Sequence, residues 1–102
     1  MASTVLIIDD EAAIRESLAG ILEDEGFAPL SAASAEEGLQ VLEDKDVGLV
    51  RLDIWMPGMD GLEALKQIRR RFDLPVIMIS GHGTIETAVE ATRNGAYDFI
   101  EK

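Results

Sequence analysis

Leu49-Val50-Arg51-Leu52-Asp53 lies near the middle of the chain, and its reading decides the fold. Apart from Arg51 the run is apolar, and it closes on a single carboxylate. Five such residues suit a strand buried on both faces of a parallel sheet. Working outward, further short runs of this kind occur at Thr4–Asp9, weakly near Ala28–Ala32, at Pro75–Ser80 and at Tyr97–Glu101. Helical patterns separate them. Ile14, Leu18, Ile21 and Leu22 fall at helical spacing, with Gly26 placed to end the helix. Ser34 and Glu37 make a capping box ahead of Leu39 and Leu42. Leu62, Leu65 and Ile68 form a third apolar stripe, and Arg69-Arg70-Arg71 complements that helix's C-terminus. Ile85, Ala88 and Val89 mark a fourth helix, closed by Asn94-Gly95. The alternation β-α-β-α-β-α-β-α-β, joined by right-handed crossovers, predicts an α/β fold with an open, doubly wound parallel sheet.

The 102 residues suffice for one domain and not for two. With only 5% aromatic residues, the core must be filled by Ile, Leu, Val and Ala. The absence of cysteine excludes disulfides and thiolate metal sites. No stretch approaches the roughly 20 apolar residues of a membrane span, and the N-terminus lacks a signal-peptide layout. A soluble cytoplasmic protein is expected. The net charge of −11 is uneven. Eleven acidic residues against two basic ones give Met1–Lys45 a charge of −9, and nine against seven give the remainder −2. That balance repels phosphate backbones, so no direct nucleic-acid binding is expected. A solvated acidic surface accounts for most of it, and an acidic cation site for part.

In open α/β sheets ligands bind beyond the carboxyl ends of the strands. Those ends hold Asp9-Asp10-Glu11, Asp53, Ser80-Gly81 and Lys102. Any one of them alone reads as a cap, a turn or a solvated side chain. Together they bring three aspartates, a hydroxyl and an ammonium to one edge. Packed carboxylates repel each other, so a cation should hold them, and oxygen-only donors suit Mg²⁺. A carboxylate beside such an ion can attack a phosphoryl group. Asp53 stands alone on its strand and is the expected nucleophile. Adjacent Asp9 and Asp10 are better placed to hold the ion. Ser80 can donate to a phosphoryl oxygen, and Lys102 can pair with it.

Four segments carry a resemblance: Leu6 to Glu11, Leu52 to Gly61, Val76 to Gly83, and Gly95 to Lys102. Spanning essentially the whole chain, they resemble the receiver domains of two-component response regulators. The run Asp53–Gly61 with Gly81-His82-Gly83 is most similar to sigma-54-dependent regulators of the NtrC/NtrX sort. The resemblance implies a CheY-like, flavodoxin-like sheet order 2-1-3-4-5. It also implies that Asp53 accepts phosphate from a sensor histidine kinase. Asp10 and Asp53 would ligate Mg²⁺ with the backbone carbonyl of Trp55, and Asp9 would act largely through water. Ser80 would be the switch hydroxyl, Lys102 the phosphate-pairing lysine, Phe99 the switch aromatic, and Pro57 and Gly58 would shape the loop after the acceptor. The chain would be a signalling switch rather than a metabolic enzyme, with ATPase and DNA-binding domains downstream in a longer protein that controls transcription.

Two departures stand out. The family continues past the lysine into a fifth helix, whereas here the sequence stops at Lys102. The expectation is a receiver cut from a longer regulator, self-associating or exchanging segments to cover the bare sheet face. Arg51 occupies a position the family usually gives to an aliphatic residue. The simpler reading is an arginine snorkelling at a partly open face, and the other is a role beside Asp53, with which it shares strand parity. Three alternatives compete. An aspartate-nucleophile phosphatase of the haloacid-dehalogenase sort needs an acid two residues after the nucleophile, where Trp55 stands. A flavin-binding domain needs an anion cradle after the first strand, where Asp9-Asp10-Glu11 stands. A phosphorylation-independent protein-interaction module with the receiver fold is compatible with the two departures.

Overall fold

The computed structural model describes residues 3–54, 59–80 and 85–101. The elements run β1 (Thr4–Ile8), α1 (Ala12–Asp24), β2 (Ala28–Ala32), α2 (Ala35–Asp44), β3 (Leu49–Asp53), α3 (Gly61–Arg71), β4 (Val76–Ser80), α4 (Ile85–Arg93) and β5 (Asp98–Glu101). The five strands form one parallel sheet in the order β2-β1-β3-β4-β5. This is the doubly wound, CheY-like order. The described residues contain four helices and no fifth.

The helix ends follow their local sequence. After α1, Gly26 adopts φ +88°, and after α4, Gly95 adopts φ +95°. In each case the reversal brings two backbone bonds onto the last carbonyls: Gly26 N–H to Glu23 and Phe27 N–H to Leu22, then Gly95 N–H to Thr92 and Ala96 N–H to Ala91. This is the Schellman termination that glycine permits. At α2 the Ser34 hydroxyl accepts the Glu37 N–H at 3.1 Å, while the Glu37 carboxylate reaches back to the N–H of Ala33 rather than of Ser34. The box forms one residue wider than its usual pattern. At α3 the cap is Asp60, whose carboxylate accepts the Glu63 N–H at 2.9 Å.

Strand alternation sends successive residues to opposite faces. Leu6, Ile8, Val50, Leu52, Val76 and Met78 turn to the face covered by α2, α3 and α4, where they pack with Leu39, Leu42, Leu65, Ile68 and Ala91 in one buried cluster. Val5, Ile7, Leu49, Arg51, Ile77, Ile79 and Ile100 turn to the other face, where α1 is the one helix among the described residues. With Leu18, Ile21 and Leu22 they line an open groove of about 220 Å³. The arginine run of α3 does more than match a helix terminus. Arg69 donates to the Leu74 carbonyl at 2.8 Å, and Arg71 pairs with Glu43 of α2.

Candidate functional site

Parallel register builds the site. Ile7 of β1 lies opposite Arg51 of β3. Two residues further along both strands, side chains return to the same face, so Asp9 comes beside Asp53. The carboxylate oxygens of Asp9, Asp10 and Asp53 all lie within 4.8 Å of one another. Asp9 and Asp53 are 0% and 2% exposed, and Asp10 is exposed. Two buried acids and one at the mouth leave the cluster open from one side. Carboxylates crowded this way strongly favour a cation, and three hard oxygen donors fit Mg²⁺.

Asp9 is tightly held. Its Oδ1 accepts the Glu11 N–H at 2.9 Å, and its Oδ2 accepts Nη1 of Arg51 at 2.9 Å. Nη1 of Arg15, on α1, donates to its backbone carbonyl at 2.7 Å. The Arg51 side chain is only 16% exposed. Its stem lines the apolar groove while its head turns inward to the acid cluster. This corrects the snorkelling reading: the guanidinium takes the site-side alternative, with Asp9 as its partner. Nothing in the sequence beyond its charge marks Arg15, although it stands one helical turn after Glu11, whose carbonyl accepts the Arg15 N–H at 3.1 Å and so fixes that turn of α1 beside the strand end.

Asp53 itself is fixed from behind. The next residue, Ile54, donates to Ile79 of β4 at 3.0 Å and accepts the Gly61 N–H at 2.9 Å. A Cβ built at Gly61 would stand 2.5 Å from the Asp53 carbonyl oxygen and 2.5 Å from the Ile54 Cα. Only glycine lets the start of α3 approach the end of β3 so closely. Ser80 is fully buried at the end of β4, one residue beyond Ile79, which pairs with Asp53. Phe99 lies opposite Met78 on β5 and packs, half-buried, against the main core. The sequence-predicted Asp9, Asp10, Asp53 and Ser80 therefore gather at neighbouring strand ends, with Phe99 on the adjoining edge strand. Trp55, Pro57, Gly58, Gly81-His82-Gly83 and Lys102 lie outside the described residues.

With this geometry in hand, comparison with known proteins is direct. A family model described as the response regulator receiver domain matches residues 5–102. A putative NtrX-like response regulator of Rickettsia bellii is 57% identical over 96% of this chain and 21% of its own length. The chain thus spans about a fifth of the length of that curated relative. The crystal structure of the receiver domain of NtrX from Brucella abortus superposes with a TM-score of 0.89 at 52% identity, covering 96% of this chain and 84% of that one. A response regulator from Burkholderia pseudomallei, solved with a phosphorylated aspartic acid, a calcium ion and citrate, gives a TM-score of 0.93 at 26% identity over 98% of this chain and 59% of that one. No helix among the described residues is long and apolar enough to cross a membrane.

Proposed function

The chain belongs to the response regulator receiver domain family, and on that premise we propose that Asp53 accepts a phosphoryl group from a sensor histidine kinase in a Mg²⁺-dependent reaction. The observation that carries this reading is the convergence of the Asp9, Asp10 and Asp53 carboxylates within 4.8 Å at the ends of β1 and β3. The Burkholderia pseudomallei relative, with its phosphorylated aspartic acid and bound calcium ion, supports it.

In the proposed reaction a carboxylate oxygen of Asp53 attacks the phosphorus of a phosphohistidine. The new O–P bond forms as the P–N bond breaks, and the imidazole leaves with its electron pair. Asp10 and Asp53 would hold the ion with the Trp55 carbonyl, and Asp9 would act through water. Bound there, Mg²⁺ would offset negative charge on the transferring oxygens. Burial of Asp53 limits the access of water to the reacting atoms. Ser80 donates its hydroxyl to a phosphoryl oxygen, and Lys102 pairs with another. The added charge of nearly −2 draws Ser80 inward, and Phe99 moves into the space it leaves. The surface formed by α4 and β5 is thereby remodelled. In a longer regulator that surface would govern downstream ATPase and DNA-binding domains and so transcription.

A second reading, a phosphorylation-independent interaction module, draws on the Arg51–Asp9 ion pair, which already supplies one cation to the cluster. Incubation with Mg²⁺ and acetyl phosphate followed by intact mass measurement separates the two. The expected result is a base-labile gain of one phosphoryl group, absent in Asp53→Asn. Folded wild-type protein that gains nothing would favour the interaction module.

A further inference from the structure

We propose that Arg51 is a tethered counter-cation of the acid cluster, which weakens Mg²⁺ binding there while holding the cluster together when the ion is absent. The inference rests on the metal reading given above and concerns how strongly the ion is held.

Three observations converge on Arg51. Its Nη1 lies 2.9 Å from Oδ2 of Asp9, and Asp9 is itself one of the three clustered carboxylates. A full positive charge therefore stands one hydrogen bond from the cation space. Next, the head group is directed rather than free to sweep through solvent. The arginine stem lies in the apolar groove among Leu18, Ile21 and Leu22, and the side chain is 16% exposed. Desolvation on this scale strengthens the pair relative to a surface ion pair. Finally, both carboxylate oxygens of Asp9 are already engaged, Oδ1 by the Glu11 N–H and Oδ2 by Arg51. Asp9 thus offers an incoming ion less negative charge than a carboxylate without such partners. The position explains how an arginine is tolerated inside a central parallel strand. Its charge is matched at the strand end and its methylenes replace an aliphatic side chain.

Two consequences oppose each other. The guanidinium repels a divalent ion and competes for Asp9, so affinity falls. It also screens the mutual repulsion of the carboxylates, so the ion-free domain tolerates the cluster. Removing the charge should raise affinity and leave the ion-free fold weaker.

The test is titration of Mg²⁺ alone into the chain by calorimetry, with thermal unfolding measured with and without Mg²⁺. From the Coulomb interaction of one charge with a divalent ion across a few ångströms of partly wet protein, Arg51→Leu should bind Mg²⁺ about five- to tenfold more tightly. Arg51→Gln keeps a hydrogen-bond donor for Asp9 and removes the charge, and should also bind more tightly. Arg51→Lys keeps the charge and should stay near wild type. The ion-free Tm should fall in the Leu variant, and Mg²⁺ should raise it by more than it raises the wild type. A merely structural arginine predicts looser binding on removal, so the direction of the change decides. Wild-type binding with unchanged or weaker affinity in both the Leu and Gln variants would overturn the role of Arg51 alone. Failure of Mg²⁺ to bind wild type and variants alike would overturn the metal reading and this inference with it.

Discussion

The two faces of the sheet solve different problems with the same five strands. The face under α2, α3 and α4 is closed: Leu6, Ile8, Val50, Leu52, Val76 and Met78 have no solvent exposure. The face under α1 is open, with Ile21 57% and Ile100 46% exposed along its groove. Strand parity divides the functional residues along the same line. Asp9, Arg51 and Asp53 belong to the open-face series, and Ser80 follows Val76 and Met78 in the closed-face series. The proposed acceptor Asp53 therefore shares its face with Arg51, whose charge Asp9 matches. Ser80, the proposed switch hydroxyl, is fully buried on the side of the packed core, where rearrangement runs between discrete packings rather than continuously. Most of the fully buried apolar strand side chains thus lie on one face, and the Asp9–Arg51 ion pair lies on the other.

The largest expected effect tests this division directly. Leu52→Ala empties space in the closed core and should cost about 2–5 kcal/mol. Ile100→Ala, nearly half exposed on the open face, should cost about 1 kcal/mol, since only part of the side chain is removed from water on folding. Urea unfolding of the two variants measures both. Equal costs would break the comparison.

Gly61→Ala comes next, because Gly61 starts α3 directly against the backbone of Asp53 and Ile54. The added methyl would meet backbone atoms of Asp53 and Ile54, and backbone cannot rotate aside. A cost of about 1–3 kcal/mol is expected, with slower phosphoryl uptake from acetyl phosphate as Asp53 shifts. At Gly38 the corresponding methyl would meet Cδ1 and Cγ1 of Ile8, a fully buried side chain of the closed core. Gly38→Ala should therefore also destabilise the fold, but, meeting no backbone of Asp53, it should leave uptake rates near wild type. Slower uptake in Gly38→Ala and not in Gly61→Ala would move the positioning role from α3 to α2.

Much of this was legible in the sequence, for reasons specific to each element. Leu49–Asp53 was readable to the residue, and the first, fourth and fifth strands to within one, because apolar runs between turn signals leave little latitude; the second, Ala-Pro-Leu-Ser-Ala, gave only a weak signal near its place. Gly26 and Asn94-Gly95 marked helix ends because a left-handed residue is needed there. The gathering of Asp9, Asp10, Asp53 and Ser80 followed from the rule that sites form beyond strand carboxyl ends. Partners distant in sequence were not legible. Strand parity pointed Arg51 toward Asp53, but its actual partner depends on the β1–β3 register. The tertiary roles of Arg69 and Arg71 depend on where Leu74 and Glu43 come to lie. The need for Gly61 depends on how closely the start of α3 comes to the backbone of Asp53 and Ile54, where an added Cβ would stand 2.5 Å away. Asp60 was missed although Asp60 and Glu63 repeat the spacing of Ser34 and Glu37. Its capping role sharpens the comparison, since it secures the helix that starts against the end of β3. Asp60→Ala should cost about 1 kcal/mol in urea unfolding. A cost near zero would mean that α3 is held by its buried face alone.

The smallest expected effect asks whether the closed face owes anything to charge. Arg71 bridges α3 to Glu43 of α2, and their side chains are 41% and 45% exposed. The same guanidinium also lies over the Phe72 ring, 5.3 Å from its centroid. Exposed pairs of this kind gain little, because water screens the attraction and both long side chains lose freedom. A double-mutant cycle with Arg71→Ala and Glu43→Ala should yield a coupling of about 0.5 kcal/mol, fading in high salt. Arg71→Ala alone should cost somewhat more than the coupling, since it also removes the contact with Phe72. The Arg51–Asp9 pair provides the contrast, with exposures of 16% and 0%. There, removing the arginine leaves a buried carboxylate short of a partner, so the loss should exceed that at Arg71 and should resist salt. If the Arg71–Glu43 coupling matched it, α2 and α3 would be held together by electrostatics, and packing alone could not explain why that face is closed.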